Sequence, residues 1–240
     1  MEDRRTPPRR HNDAMRLPRE SLDRISALPQ GVNFFGHAAV ATWSAPPSGA
    51  SPAIVLGAML PDFATMCGGR IAAADEADVA DGIALHHATD AVFHQLPVVL
   101  GLMRELDEHL LRGGCARGPR RAVAHIGMEL LLDGALLDEP AYRAAYLCGL
   151  SHDPALHWRD PETAPRFTML LTRLRARGIP EDLRSPDAIT TRLQHILGHR
   201  PLLAPSLDDL RTIRGALIAF KPRLEVAVDT VVRGVRAGLG

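Results

Sequence analysis

The sequence predicts an all-α helical bundle, on three observations. Apolar residues make up 46% of the 240 residues while aromatics are only 4%, so alanine, leucine, valine and isoleucine fill the core set. Strand-rich folds draw more heavily on aromatic and β-branched residues. Those apolar residues recur at steps of three and four through successive segments, as a helix buried on one face requires. Proline and glycine clusters separate the segments. A chain this long can bury a core in one large domain.

Residues 1–30 are rich in Arg, Asp and Pro and poor in large apolar side chains, which predicts a largely disordered segment with at most a short helix over 21–28. Residues 31–240 read as a single all-α domain. A first helix is expected over 33–43, with Asn33 as its N-cap and Phe34, Phe35, Ala38 and Ala41 on one face. A Pro/Ser/Gly loop follows over 44–52. Residues 52–59 are apolar enough to be helix or buried strand. Pro61 is expected to end that pattern and leave Asp62 on a bend. Residues 67–78 read as a loop with a helix starting in its acidic half, and that helix is expected to run from 77 to about 95. Further helices are expected over 98–111, 120–137 and 140–150. The first 150 residues carry the chemistry-bearing side chains, and 151–240 read as a helical extension with helices over 165–177, 186–197 and 207–235. Pro222 is expected to kink or divide the last of these.

Twenty-eight basic and 28 acidic residues cancel, so a globally basic nucleic-acid surface is not indicated. Lys221 is the only lysine, which reads first as compositional bias. Three widely spaced cysteines, Cys67, Cys115 and Cys148, make neither a disulfide framework nor a zinc knuckle, and fit a reducing cytoplasm. The N-terminus shows no apolar leader, and no apolar run approaches a membrane-spanning length of roughly 20 residues. There is no Gly-x-Ser-x-Gly elbow, P-loop or dinucleotide fingerprint, and Ser151-His152-Asp153, adjacent in sequence, is not a triad.

The stretch from Gly82 to Val98 stands out. His86, Asp90 and His94 follow one another at steps of four, which on a helix places them in one stripe. His125, Glu129 and Asp133 repeat the step downstream. Residues four apart are separated by a rise of about 6 Å, so two of them can reach one ion; a third, about 12 Å from the first, suits a second ion or the substrate. His86 with Asp90 is therefore the sharper pair, and His94 the outlying member. Ile83, Leu85, Val92 and Phe93 surround the first stripe, and Met128 and Leu130 to Leu132 the second. Polar groups in such company are costly to bury unless paired or metal-bound. His195 and His199 lack a following carboxylate and read as surface residues.

Three segments stand in order: Asn33-Phe34-Phe35-Gly36-His37, Gly57-Ala58-Met59-Leu60-Pro61-Asp62-Phe63, and Gly82-Ile83-Ala84-Leu85-His86-His87-Ala88-Thr89-Asp90. Together they resemble the acyl carrier protein phosphodiesterases, which look like a divergent branch of the HD phosphohydrolases. The family patterns are Asn-Phe-Leu-Ala-His, Gly-Asp-Phe and Gly-Ile-x-Leu-His-x-x-x-Asp. Order and spacing agree over about residues 32–137. The resemblance implies an HD-like all-α fold, a manganese-type divalent metal (Mg2+, Fe2+ and Zn2+ being alternatives), and hydrolysis of the phosphodiester joining phosphopantetheine to a carrier-protein serine. Two departures stand inside it. Phe93-His94-Gln95-Leu96-Pro97 replaces a Thr-Asp-x-His-Pro run, and His125 with Glu129-Leu130 replaces an Asp followed four residues later by Asp-His.

The resulting expectation is a cytoplasmic metal-dependent phosphohydrolase. His37, Asp62, His86, Asp90, His125, Glu129 and Asp133 are the candidate ligands, and His94 or His87 the general acid or phosphate contact. The partner would be an acyl carrier protein, met by Arg70, Arg104, Arg120 or Arg121, or else a nucleotide or other small phosphodiester. The competing expectation is a non-catalytic binding or scaffold protein that keeps the stripes as a polar network.

Overall fold

A computed structural model describes residues 34–43 and 49–240. The expected disordered segment, the short helix over 21–28, the Asn33 cap and most of the loop over 44–52 lie outside the described residues. Nine α-helices are described: α1 (Phe34–Val40), α2 (Pro52–Met66), α3 (Ala77–Phe93), α4 (Pro97–Arg112), α5 (Arg117–Leu136), α6 (Pro140–Ser151), α7 (Thr163–Arg177), α8 (Pro186–Gly198) and α9 (Leu207–Leu239). A single 3-10 turn, Glu181–Arg184, precedes α8. The all-α bundle expected from composition and periodicity is the fold observed.

Two adjustments concern proline. Pro61 lies inside α2, so Asp62 is helical rather than on a bend. Pro61 lacks the N–H that would bond the Gly57 carbonyl, a cost of about 3 kcal/mol in a helix interior. Burial of Val55, Leu56, Met59, Leu60 and Phe63 on either side of it outweighs that loss. Pro222 likewise sits within an unbroken α9. The carbonyl it leaves unbonded belongs to Ile218, an exposed residue whose backbone water can satisfy.

One element was not expected. β1 (Ile71–Ala74) pairs antiparallel with β2 (Leu156–Trp158) in a two-stranded ribbon, with Ile71 opposite Trp158 and Ala74 opposite Leu156. An Ile-Ala-Ala-Ala run carries no strand signature, and its partner lies some eighty residues away, so local pattern could not show it.

The helices pack as two groups sharing one apolar core. α2 lies against α3, α1, α6 and α7; α5 lies against α4, α8, α9 and α1. The C-terminal α9 also packs on α3 and α4. It opens with a capping box in which the Ser206 hydroxyl accepts from the Asp209 amide and Asp209 accepts from the Ser206 amide. Asp209 also accepts the Ala116 amide at 2.7 Å, tying the start of α9 to the start of α5.

The closest helix contact is between α2 and α3. A Cβ placed on Gly57 would stand 2.9 Å from the Gly82 Cα, and one placed on Gly82 would stand 2.7 Å from the Gly57 Cα. Both distances are shorter than real Cβ contacts, so these two positions require glycine for the backbones to meet. Gly82→Ala should therefore destabilise the protein by roughly 2 kcal/mol or more, through overpacking that only helix separation relieves. Gly101, inside α4 with open space around it, is the control. Gly101→Ala should stabilise by roughly 0.5–1 kcal/mol, both variants being compared with the wild type by urea titration.

Candidate metal centre

The buried face of α3 is Val79, Gly82, His86, Thr89 and Phe93, a stripe at steps of three and four. It starts at the glycine contact with α2 and runs past His86 to Asp90, whose side chain is 38% exposed. α1 brings His37 to the same place, and its ring stacks on that of His86 with centroids 3.8 Å apart. The Asp90 carboxylate spans both rings: Oδ1 is 3.3 Å from His37 Nε2 and Oδ2 is 3.2 Å from His86 Nε2. Asp62 arrives from α2. One ligand-type atom from each of His37, Asp62 and His86 lies within 4.8 Å of the other two.

Hydrogen positions decide what this group needs. His86 Nδ1 is 2.9 Å from the Ala58 carbonyl oxygen. A carbonyl only accepts, so Nδ1 carries the hydrogen there. Neutral His86 then turns a lone pair on Nε2 towards a carboxylate oxygen. Two acceptors face each other stably only around something positive, either a second proton or a cation. His37 Nδ1 and Asp62 Oδ2 are sealed from solvent and have no hydrogen-bond partner among the described residues. A backbone carbonyl holding the far nitrogen of a histidine is also what a metal-binding imidazole usually has behind it. Ligand atoms sharing one ion at about 2.1 Å stand roughly 3.0–3.4 Å apart, the range in which the His37–Asp90 and His86–Asp90 separations fall, while Asp62 lies within 4.8 Å of both histidines. The residues present therefore fit a divalent cation with mixed nitrogen and oxygen preference.

The electrostatics point the same way. Burial pushes the Asp62 carboxyl well above the usual carboxylate range, and the neighbouring charges of Asp90, Asp133 and Glu129 push it further. Burial lowers the proton affinity of His37, against the pull of its bond to Asp90. Burial also works against the charge on Asp90, but the His37 and His86 imidazoles facing it outweigh that and hold the carboxyl far below its usual range.

A second group lies alongside. His94 caps the C-terminus of α3, so the residue at the eighth step leaves the first group and meets α5. Its Nε2 is 3.7 Å from Glu129 Oε1, while His125 Nε2 is 2.8 Å from the same oxygen. The two rings meet edge to face at 4.8 Å. Glu129 is buried and both histidines reach solvent. The bond to Glu129 raises the proton affinity of His125, with burial opposing it. These three also have the spacing of metal ligands, yet the pair His125–Glu129 is already electrically complete.

Asp133 is in neither ligand group. Its Oδ2 accepts the Phe35 amide at 3.1 Å and its Oδ1 the Gly36 amide at 2.8 Å. It satisfies two free donors at the start of α1 and so fixes the helix that carries His37. Burial pushes this carboxyl up to about 8, against the two amide bonds. His87 is exposed and belongs to neither group; its ring touches that of His86 edge-on at 5.3 Å and it faces a separate cleft. Of the candidate arginines, Arg120 is tied to Asp107 at 3.0 Å and Arg70 lines that separate cleft. Neither Arg104 nor Arg121 lines the space beside His37.

That space is a narrow, mainly apolar cleft ending on His37 and Asp90. Trp43, Phe93 and Leu136 form part of its walls, and α9 supplies Val231, Val232 and Val235. Sequence reading missed this wall, along with the Ala58 carbonyl that orients His86. A motif glycine one residue before Ala58 was the only available pointer to the latter. No family model, curated protein or solved structure matches the chain.

Two outcomes test the assignments. Asp62→Asn should stabilise the metal-free protein at neutral pH, since it removes an acid with one oxygen sealed and unpartnered, while weakening divalent-metal affinity. The sign with pH follows from linkage. Folded Asp62 keeps a proton that the unfolded chain releases near pH 4, so metal-free wild-type stability falls relative to the variant as pH rises from there. The gap should grow by up to about 1.4 kcal/mol per pH unit until the folded carboxyl ionises, as urea melts at several pH values will show. Asp133→Ala should cost roughly 2–5 kcal/mol by stranding two buried amides, yet leave metal stoichiometry in the folded protein unchanged.

Proposed function

We propose that this protein is a divalent-metal-dependent phosphohydrolase acting on a phosphodiester. The observation that carries the reading is the His37–Asp62–His86 group with Asp90 facing both rings: an Asp62 oxygen sealed without a partner, beside a carboxylate that already gathers two imidazoles. His37, Asp62, His86 and Asp90 would hold the ion, which supplies a polarised phosphoryl oxygen and a water of lowered pKa.

The chain's own residues do the rest. Ala58 holds His86 in the tautomer that leaves Nε2 free for binding. Asp133 holds α1 and with it His37. His125 keeps a proton on Nε2 against Glu129, and with His94 beside it forms a solvent-reaching acid pair suited to protonating a leaving oxygen. Valines of α9 line one side of the cleft beside Asp90, whose carboxylate remains 38% exposed.

The resemblance supports phosphopantetheine on an acyl carrier protein as the substrate and manganese as the ion. A nucleotide or another small phosphodiester is the alternative substrate, and magnesium, iron or zinc the alternative ions. The three cysteines are free, which supports a reducing cytoplasm. A second reading, a bundle that keeps the stripes only as a polar network, draws on the closed His125–Glu129 pair.

Elemental analysis decides between them. Purified protein supplied with manganese should bind about one ion or more per chain, and His86→Ala and Asp90→Ala should each lose most of it. Bis-p-nitrophenyl phosphate and holo acyl carrier protein, incubated separately, should show metal-dependent turnover that falls by about a hundredfold or more in the same variants. Protein that binds no divalent ion belongs to the network reading, and turnover of the small ester alone displaces the carrier protein.

A further inference from the structure

A second cleft, of about 430 Å3, lies between the β-ribbon and the helices α2 and α3. That is within the size range of small-molecule sites. Its walls include Ala72, Ala73 and Ala74 of β1 and Ala80 of α3, and these short side chains leave the space unfilled. Three cationic or basic residues also line it. Arg70 and Arg159 are neighbours across the ribbon, the Arg159 amide donating to the Arg70 carbonyl at 3.0 Å, and His87 joins them from α3.

Neither guanidinium has a carboxylate partner among the described residues, and nor does His87. The acids around the ribbon are already engaged: Asp75 by His157 at 2.6 Å, Glu76 by His152 at 3.0 Å and Asp160 by Arg166 at 3.5 Å. In a chain whose charges balance overall, this cleft therefore concentrates unneutralised positive charge. It adjoins the candidate metal centre through the His87 ring against His86 and through Pro61, the residue before Asp62.

We propose that this cleft binds a phosphate-bearing small molecule, its phosphate held by Arg70 and Arg159 with His87 as an additional donor, and its less polar part against the alanine walls. Guanidinium forks match phosphate oxygens two at a time, and two of them from residues flanking the paired strands can grip one dianionic group. The inference does not rest on the metal-centre reading.

The test is calorimetric titration of inorganic pyrophosphate, and separately of adenosine monophosphate, into the full chain stripped with chelator. At least one probe should bind saturably, weaken as salt is raised, and lose about tenfold or more in affinity in Arg70→Gln and in Arg159→Gln. Melting curves confirm that these exposed-site variants fold. On wild-type protein, the same probe should shift the His87 ring resonances. Absence of saturable binding below roughly 10 mM for both probes overturns the proposal. So does binding that survives the double variant, or binding that appears only after metal is restored, since the anion then sits on the metal centre.

Discussion

Everything at the candidate centre depends on two glycines that let α2 and α3 touch backbone to backbone. From the Gly57–Gly82 contact, each helix advances by turns. On α2 the next residues facing α3 are Ala58, whose carbonyl takes the His86 ring hydrogen, and Asp62 one turn later. On α3 they are His86 and then Asp90. The steps of four on the two helices are thus in register because both start from one point of closest approach. A side chain at either glycine would separate the helices and carry the carbonyl out of reach of the imidazole.

The centre gathers four carboxyl groups, and three have an answer to burial. Asp90 is held by two imidazoles, Glu129 by His125, and Asp133 by the amides of Phe35 and Gly36. No arginine or lysine takes part in these bonds. Asp62 alone has an oxygen sealed without a partner. A folded chain seldom leaves such a group unanswered, and where it does the position is commonly one that a ligand completes. The contrast between Asp62 and Asp133 matters because both acids sit on helices packed against α1. Asp133 is satisfied by backbone amides at the start of α1, and Asp62 keeps an oxygen that no described residue answers.

Helices were legible in the sequence wherever apolar steps ran between proline or glycine breaks, as from Ala77 to Phe93 or from Pro186 to Gly198. The His86–Asp90 and His125–Glu129 pairs were legible for the same reason, since both members sit on one helix. What local pattern could not show is what each pair meets. Asp133 has the right step to join His125 and Glu129, but its partners are amides almost a hundred residues away. His94 keeps the step of four yet lies where α3 ends, so it turns towards α5. Pro61 reads as a terminator because its local cost is visible and the burial that offsets it is not. The ribbon was hidden because an alanine run has no strand signature of its own.

The C-terminal helix was the least legible contributor, because it offers no ligand. α9 nevertheless closes the cleft at His37 and Asp90 with three valines. It is fastened near that point by Arg236, whose guanidinium lies 4.8 Å from the Trp43 ring centroid and reaches the Tyr142 hydroxyl, to which Trp43 Nε1 also donates at 3.1 Å. A wall of valine next to an aspartate between two imidazoles lowers the local dielectric, and every charge interaction there strengthens accordingly. Water in place of that wall would add to the solvation the half-exposed Asp90 already has and weaken its hold on both rings. The polar chemistry of the first 150 residues thus has its strength set by apolar residues more than ninety positions further along, which is why a reading of the ligands alone misses half of what makes the centre.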